Sequence, residues 1–377
     1  MKKWWQNGKK QQNESINPDF GHPFHNTTMM NEDMVVRMIV MKRVVHLGPS
    51  ESKGGMATVI ENMVENVPEG WFAESLTTHS ENILQSLICW KNASKTFSES
   101  LKNGEYDVAH IHVTHGFSWW RKLSFMKKCE QFGVPTIIHI HSGKFHSFCS
   151  GLSGNNVKKE LSKKNRVTII LEDRWREKLQ QWIPEESEVV RNFSNPVKRD
   201  RKRTPSDKLR LLVLSRNSPV KGHDFAIEVA NCISEMGKNV ELLITGGSEI
   251  GKYSNERLEI NNCGWVSREE KNVLLAESDF LLSPSEYEGS SMSVIESMVS
   301  GLPCIVSGTS EETVGLEDLI IRENNSEKWA DRILTLSDST RYLQIAESIL
   351  EESQKYSPEI NRTKMESIYN DLCSKQR

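Results

Sequence analysis

Short apolar runs alternate with stretches of helical spacing along most of the chain, and the runs end in glycine, proline or serine. Residues 44–47 form the first run, closed by Gly48 and Pro49. The loop 50–55 (SESKGG) leads into MATVIENMVENV, where Met56, Val59, Ile60, Met63 and Val64 recur at helical spacing. Residues 108–113 and 136–141 are strand-like and rich in histidine, with SWWRKLSFMKK (118–128) between them. A further strand over 167–171 precedes a helix carrying Trp175 and Leu179. Alternation of this kind predicts a parallel sheet with helices on both faces.

The pattern breaks at 195–208 (NPVKRDRKRTPSDK), which holds two prolines, many charges and almost nothing apolar. Such a composition is that of a linker. Beyond it the alternation restarts: strand 209–214, helix 224–236, strand 240–245, a Gly246-Gly247 turn, a turn through Gly264 and a helix over 268–276. Then comes the densest stretch, FLLSPSEYEGSSMSVIESMVSGLPCIVS (280–307). Here a strand signal breaks at Ser283-Pro284-Ser285, a small-residue loop opens a helix, Gly301 and Pro303 stop it, and a new strand begins. A strand, a small-residue loop and a helix start can hold an anion on backbone N–H groups. The tail from 340 reads as two amphipathic helices split by Ser357-Pro358.

The expected organisation is an extension over 1–40, a Rossmann-like domain over 41–195, a linker over 196–208, a second Rossmann-like domain over 209–356 and a terminal helix over 357–377 that packs back on the first domain. A chain of 377 residues accommodates two such domains. In doubly wound sheets ligands bind outside the carboxyl ends of the strands, so the glycine-containing loops can face one another across a cleft.

Composition narrows the partners. With 37% hydrophobic and 26% charged residues the chain reads as a soluble globular protein, and a net charge of −3 gives no global attraction to nucleic acid. Seven scattered cysteines without a CxxC pair fit free thiols in a reducing cytosol. No apolar run reaches the roughly 20 residues of a membrane span. The first stretch, up to about residue 33, is polar and aperiodic, lacks the apolar core of a signal peptide, and reads as disordered, with Met41 an alternative start.

Several groups offer chemistry, each beside a plainer structural role. Arg216 and Lys221 in SRNSPVKGHD follow a strand and can neutralise a diphosphate, or can be ordinary surface charges. Glu288 and Glu296, with seven residues between them, can each accept paired hydrogen bonds from a sugar diol. Equally, Ser293 to Glu296 fits a capping box, and Glu288 a solvated loop charge. Alternation puts His110 with His112 on one face and His139 with His141 on one face, where buried, satisfied histidines are the structural expectation. No carboxylate or cysteine accompanies them at ligand spacing, so no metal is expected. His141, with Ser142-Gly143 at a strand's carboxyl end, is the histidine placed to face a cleft. Gly54-Gly55 allows close backbone approach at a helix start or simply a tight turn. The 118–128 segment is basic with interleaved tryptophans; it suits an anionic membrane surface, or a helix with a buried stripe and a solvated basic face.

Taken together, SPSEYEGSSMSVIESMVSGLPCIVS, SRNSPVKG, YDVAHIH, PTIIHIHSG and GGMATVIENM resemble, in order, the landmarks of the retaining glycosyltransferases of family 4, also called glycosyl transferases group 1. The resemblance runs from about Lys42 to about Tyr369. It implies an α/β GT-B fold, two Rossmann-like doubly wound parallel-sheet domains facing across a cleft. It also implies a UDP- or GDP-linked sugar donor, no further cofactor, and a glycan or lipid-linked acceptor at the cell envelope, with the protein cytoplasmic or peripheral on the inner membrane face.

By that resemblance Arg216 and Lys221 hold the diphosphate together with the backbone of Gly289, Ser290, Ser291 and Met292. Glu296 grips the ribose, Glu288 the transferred sugar, and Val266 meets the base. His141 contacts the sugar near the reacting carbon, while Gly54 and Gly55 approach the donor phosphate. Ser290 and Ser291 replace the family's usual aromatic and glycine, which makes them the place where sugar specificity is expected to be set. The absence of an Asp-x-Asp motif and of an evident nucleophile implies metal-independent transfer by same-face attack with retention of configuration. The alternatives are a non-catalytic sugar-nucleotide-binding subunit and a nucleotide-sugar epimerase on the same fold.

Overall fold

In the computed structural model the described residues are 41–49, 54–80, 83–199, 204–247 and 256–375. The N-terminal extension expected over 1–40 and most of the 50–55 loop lie outside them.

Six parallel strands make the first sheet: β1 (Lys42–Gly48), β2 (Trp71–Thr77), β3 (Val108–Val113), β4 (Thr136–Ile140), β5 (Arg166–Ile170) and β6 (Glu188–Val189), in the order β2-β1-β3-β4-β5-β6. Every position of β3 and β4 is buried. Strands covered on both faces read as unbroken runs, which is why these two are visible in the sequence. β2 lies at the sheet edge, and its sequence WFAESLT is too polar to stand out.

The second sheet is also parallel: β7 (Lys208–Val213), β8 (Asn239–Thr245), β9 (Leu258–Gly264), β10 (Phe280–Ser283), β11 (Cys304–Ser307) and β12 (Ile320–Ile321), ordered β12-β11-β10-β7-β8-β9. Two α/β sheets of this doubly wound kind form the GT-B architecture. The turn expected through Gly264 is the end of an edge strand, LEINNCG, again half polar.

The helices that position the site are α1 (Gly55–Glu65), α2 (Ile83–Lys102), α3 (Phe117–Phe132), α4 (Arg174–Leu179), α5 (His223–Glu235), α6 (Arg268–Glu277), α7 (Met292–Val299) and α8 (Pro358–Ser374). Terminal helix α8 buries Met365, Ile368, Tyr369 and Leu372 among Val44, Val59, Trp71, Val108 and Ile137 of the first sheet and its helix.

Three expectations need correction. The capping box from Ser293 to Glu296 does not form: Ser291 is the N-cap of α7 with no side-chain bond to the helix backbone, and Glu296 turns to Lys271 instead. The capping box that does form is Ser267–Glu270 at the start of α6. The 195–208 stretch is not merely a solvated linker. Its Arg199 is buried and donates to the Ser278 carbonyl (2.8 Å), the Gly301 carbonyl (3.2 Å) and the Tyr342 hydroxyl (2.7 Å). Ser278 caps the end of α6 and Gly301 follows α7, so one guanidinium satisfies carbonyls left over at two helix ends.

Helix α3, finally, keeps only part of its basic set on a solvated face: Lys127 is exposed and Arg121 half-buried, but Lys122 and Lys128 turn inward. Lys122 is fully buried and donates to the Leu47 carbonyl (2.7 Å) and Thr78 Oγ1 (2.5 Å), and burial holds its ammonium well below the usual lysine range. Lys128 is held by Ser94 and Ser98 of α2. Exposed in their place are Phe117 and Trp120. Among the described residues no helix is long and apolar enough to cross a membrane.

Candidate functional site

A cleft of about 990 Å³ lies at the carboxyl ends of both sheets, and every residue singled out from the sequence lines it: Gly54, Gly55, His141, Arg216, Lys221, Val266, Glu288, Gly289, Ser290, Ser291, Met292 and Glu296. They come from loops after β1, β4, β7, β9 and β10 and from the first turns of α1 and α7.

Arg216 is exposed, while Lys221, Glu288 and Glu296 are held in ion pairs. Lys221, ending the short turn Pro219–Lys221 before α5, sets its Nζ 2.6 Å from Glu288 Oε1, whose side chain is 9% exposed. Glu296 is 2.5 Å from Lys271 Nζ of α6; burial raises its pKa, and Lys271 pulls it back. Lys271 has no sequence signal, because its partner is 25 residues away on another helix.

Across the cleft the first sheet's loops grip the glutamate loop. Trp175 Nε1 donates to the Gly289 carbonyl at 2.7 Å, and Arg174 Nη2 reaches the same oxygen at 3.2 Å. Arg174 also donates to the Thr309 carbonyl (2.5 Å) and its Nε pairs with Glu172 at 2.6 Å, while Glu312 accepts from the backbone N–H groups of Asp173 and Arg174 at 2.7 and 2.9 Å. Trp175 looks in the sequence like a packing residue of α4. Nothing local marks it as more, because its partner Gly289 lies on a distant loop.

Nearby, backbones meet without room for side chains. A Cβ on Gly143 would lie 2.6 Å from the Glu288 carbonyl oxygen, and one on Gly289 would collide with the His141 carbonyl. At the other rim Arg268 of α6 forms a two-pronged ion pair with Glu65 of α1, at 2.9 and 3.2 Å.

His141 belongs to a larger group. His46, His110, His112, His139 and His141 stack against one another, and all but His141 are fully buried. Two chains of ring nitrogens run through them. In one, His141 Nε2 is 2.8 Å from His112 Nδ1, and His112 Nε2 is 3.0 Å from His46 Nδ1. In the other, His139 Nδ1 is 3.1 Å from His110 Nε2, and His110 Nδ1 is 3.4 Å from the Tyr369 hydroxyl.

Desolvation, reinforced by neighbouring rings, pushes His110, His112 and His139 well below the usual histidine range. Desolvation takes His46 down to about 3, and desolvation with Lys122 does the same for His141. The expectation of satisfied core histidines fails at two atoms, His46 Nε2 and His139 Nε2, which are buried without a hydrogen-bond partner among the described residues. His46 was not visible as a member because it stands alone in its strand; register places it beside His110. The imidazoles come in two triplets, His46-His110-His112 and His112-His139-His141, each offering nitrogens that lie within 4.8 Å of one another.

Comparison with known proteins bears on the fold and its relatives. Residues 208–339, the core of the second sheet and its helices, match the family model of glycosyl transferases group 1. A putative glycosyltransferase, EpsF of Bacillus subtilis (strain 168), is 30% identical over 138 residues, 34% of this chain and 36% of that protein. The aligned part thus spans about a third of that relative's length. An uncharacterized 41.2 kDa protein in the cps region of Klebsiella pneumoniae is 22% identical over 355 residues, 78% of this chain and 89% of that one. Among solved structures, Anabaena Alr3699/HepE in complex with UDP-glucose superposes with a TM-score of 0.65 at 14% identity, covering 87% of this chain and 99% of that one. The chain is thus similar to the glycosyl transferases group 1 family over residues 208–339, within a fold of the GT-B kind.

Proposed function

We propose that the protein is a retaining glycosyltransferase that moves a hexose from a nucleoside diphosphate sugar to a hydroxyl of a cell-surface glycan or lipid-linked acceptor. The observation that carries this reading is the convergence of Arg216, Lys221 and the loop entering α7 on one end of the cleft, beside a carboxylate already bound to Lys221. When the bond from the anomeric carbon to the diphosphate oxygen breaks, its electron pair leaves with the diphosphate. Cations and helix-start N–H groups fixed in place stabilise that charge without reorganising. The acceptor oxygen bonds to the same face of the sugar, and its proton passes to the departing phosphate oxygen.

Lys221 cannot serve the diphosphate and Glu288 equally. A diphosphate that draws Lys221 away frees Glu288 to accept hydrogen bonds from the sugar hydroxyls, so donor binding itself sets the carboxylate to its task. In this reading Glu296, held by Lys271, takes the ribose and Val266 meets the base, while Gly54 and Gly55 let backbone approach the phosphates. The Anabaena protein's UDP-glucose favours a uridine donor, and the Klebsiella relative's place in a cps region favours a surface polysaccharide.

Thermal unfolding in the presence of uridine, guanosine and adenosine diphosphate sugars tests the reading. A ligand at a hundred times its Kd adds about 2.7 kcal/mol, a rise of several degrees in Tm. One UDP-sugar is expected to give that rise and to yield product with retained anomeric configuration by NMR. No shift with any of them would refute the site, and binding without turnover against any acceptor would favour a non-catalytic subunit.

The α2–α3 face suits peripheral contact with an anionic bilayer. Leu87, Ile88, Phe117 and Trp120 are exposed, and the neighbouring charges Lys91, Lys95, Arg121 and Lys127 share one sign. Sedimentation with phosphatidylglycerol vesicles is expected at low salt and not with phosphatidylcholine. The double variant Phe117→Glu, Trp120→Glu should stay in the supernatant; equal sedimentation of both proteins would remove the proposal.

A further inference from the structure

The histidine chain that ends at His141 has a direction. Each ring is neutral, as the depressed pKa values of His46, His112 and His141 agree, so each carries one N–H. His112 is bonded at both nitrogens, to His141 Nε2 at 2.8 Å and to His46 Nδ1 at 3.0 Å. With one proton it must donate in one bond and accept in the other, so the two bonds share a polarity.

The far end decides which polarity. His46 Nε2 is buried and has no hydrogen-bond partner among the described residues. A proton there would be an orphaned buried N–H, which native structures avoid more strictly than an unused lone pair. The proton of His46 therefore sits on Nδ1 and is donated to His112 Nε2. His112 in turn donates from Nδ1 to His141 Nε2, and the remaining proton of His141 sits on Nδ1. The second chain follows the same rule: His139 Nε2 is the partnerless end, and its Nδ1 donates towards His110 and on to Tyr369.

We propose that the dead-ended chain from His46 through His112 locks His141 in the Nδ1–H tautomer, making it a fixed hydrogen-bond donor to the transferred sugar and not a base. His112 is the positioning residue, acting through His141. The functional half rests on the reading above that the sugar sits beside His141; the tautomer itself does not. Free histidine in water prefers the other tautomer, with the proton on Nε2, so the locked state has a distinct signature.

Long-range proton–nitrogen NMR of the full chain labelled with ¹⁵N-histidine at pH 7.5 reads it directly. In the wild type His141 is expected to show a protonated Nδ1 and a bare Nε2. His46→Phe should leave this unchanged, because His112 Nε2 then becomes the partnerless end. His112→Phe should move His141 towards Nε2–H and lower kcat about tenfold, the worth of one hydrogen bond, with KM for the donor within threefold. His112→Leu serves if the phenylalanine variant does not fold. A wild-type His141 protonated on Nε2, or a tautomer indifferent to His112, overturns the lock whether or not any sugar nucleotide binds. A flipped tautomer with unchanged kcat overturns the donor role.

Discussion

Lys221→Ala is expected to lower transfer by a factor of 10² to 10³ in kcat, and Arg216→Ala by a similar factor, the usual cost of removing one preorganised donor from a developing negative charge. The two variants should nevertheless differ in stability. Lys221 is the ion-pair partner of Glu288, a carboxylate whose side chain is 9% exposed. Removing the ammonium strands a mostly buried charge, at a cost of roughly 1–3 kcal/mol, and Tm should fall by several degrees. Combining Lys221→Ala with Glu288→Gln removes that stranded charge and should restore Tm without restoring transfer. Lost activity can thus be separated from lost structure. Full transfer by Lys221→Ala in a correctly folded protein would sink the assignment of the diphosphate site.

What the sequence discloses here depends on whether a residue's task is local. Strands β3, β4, β7 and β8 announce themselves because their sheets are covered on both faces, whereas the edge strands Trp71–Thr77 and Leu258–Gly264 are half polar and look like loops. The cleft residues are legible for a related reason. They stand at the ends of buried runs, where a charged residue or a glycine interrupts the pattern.

Pairings between distant segments leave no such trace. Lys271 with Glu296, Arg174 and Trp175 with Gly289, and Arg268 with Glu65 are each set by how the sheets and helices pack. Local spacing can even mislead. Ser267–Glu270 and Ser293–Glu296 have the same S-x-x-E spacing, yet only the first is a capping box. In the second, Ser291 is the N-cap, so Ser293 lies inside the helix and Lys271 claims the glutamate. Likewise Lys122 reads as part of a basic face and proves to be buried, satisfied by a carbonyl and a hydroxyl.

The five stacked histidines predict an acid-labile fold, by an amount set largely outside the folded protein. His46 and His141 have pKa values of about 3, and those of His110, His112 and His139 lie well below the ordinary 6.5. The groups facing the cluster reinforce the effect, since Lys122 repels a proton from His141, and Tyr369, held neutral by burial, offers no counter-charge. In the unfolded chain the same rings titrate near 6.5. The unfolded state therefore binds more protons than the native state below that pH, and stability present above 6.5 is lost as pH falls towards 3.

At pH 5.5 each unfolded imidazole is mostly protonated, worth about 1.4 kcal/mol, and five together approach 7 kcal/mol, comparable to the whole stability of many domains at ~5–15 kcal/mol. Few carboxylates titrate in that interval, so the loss belongs to the histidines. Tm followed from pH 7.5 to 5.5 is expected to fall by well over ten degrees. Substituting His46, His110 and His139 together with apolar residues of similar volume should flatten the curve between those two values, whatever it does to Tm at pH 7.5. A wild-type Tm that stays constant across the interval would mean that the rings take up protons in the native state, and that the core around them is open to water.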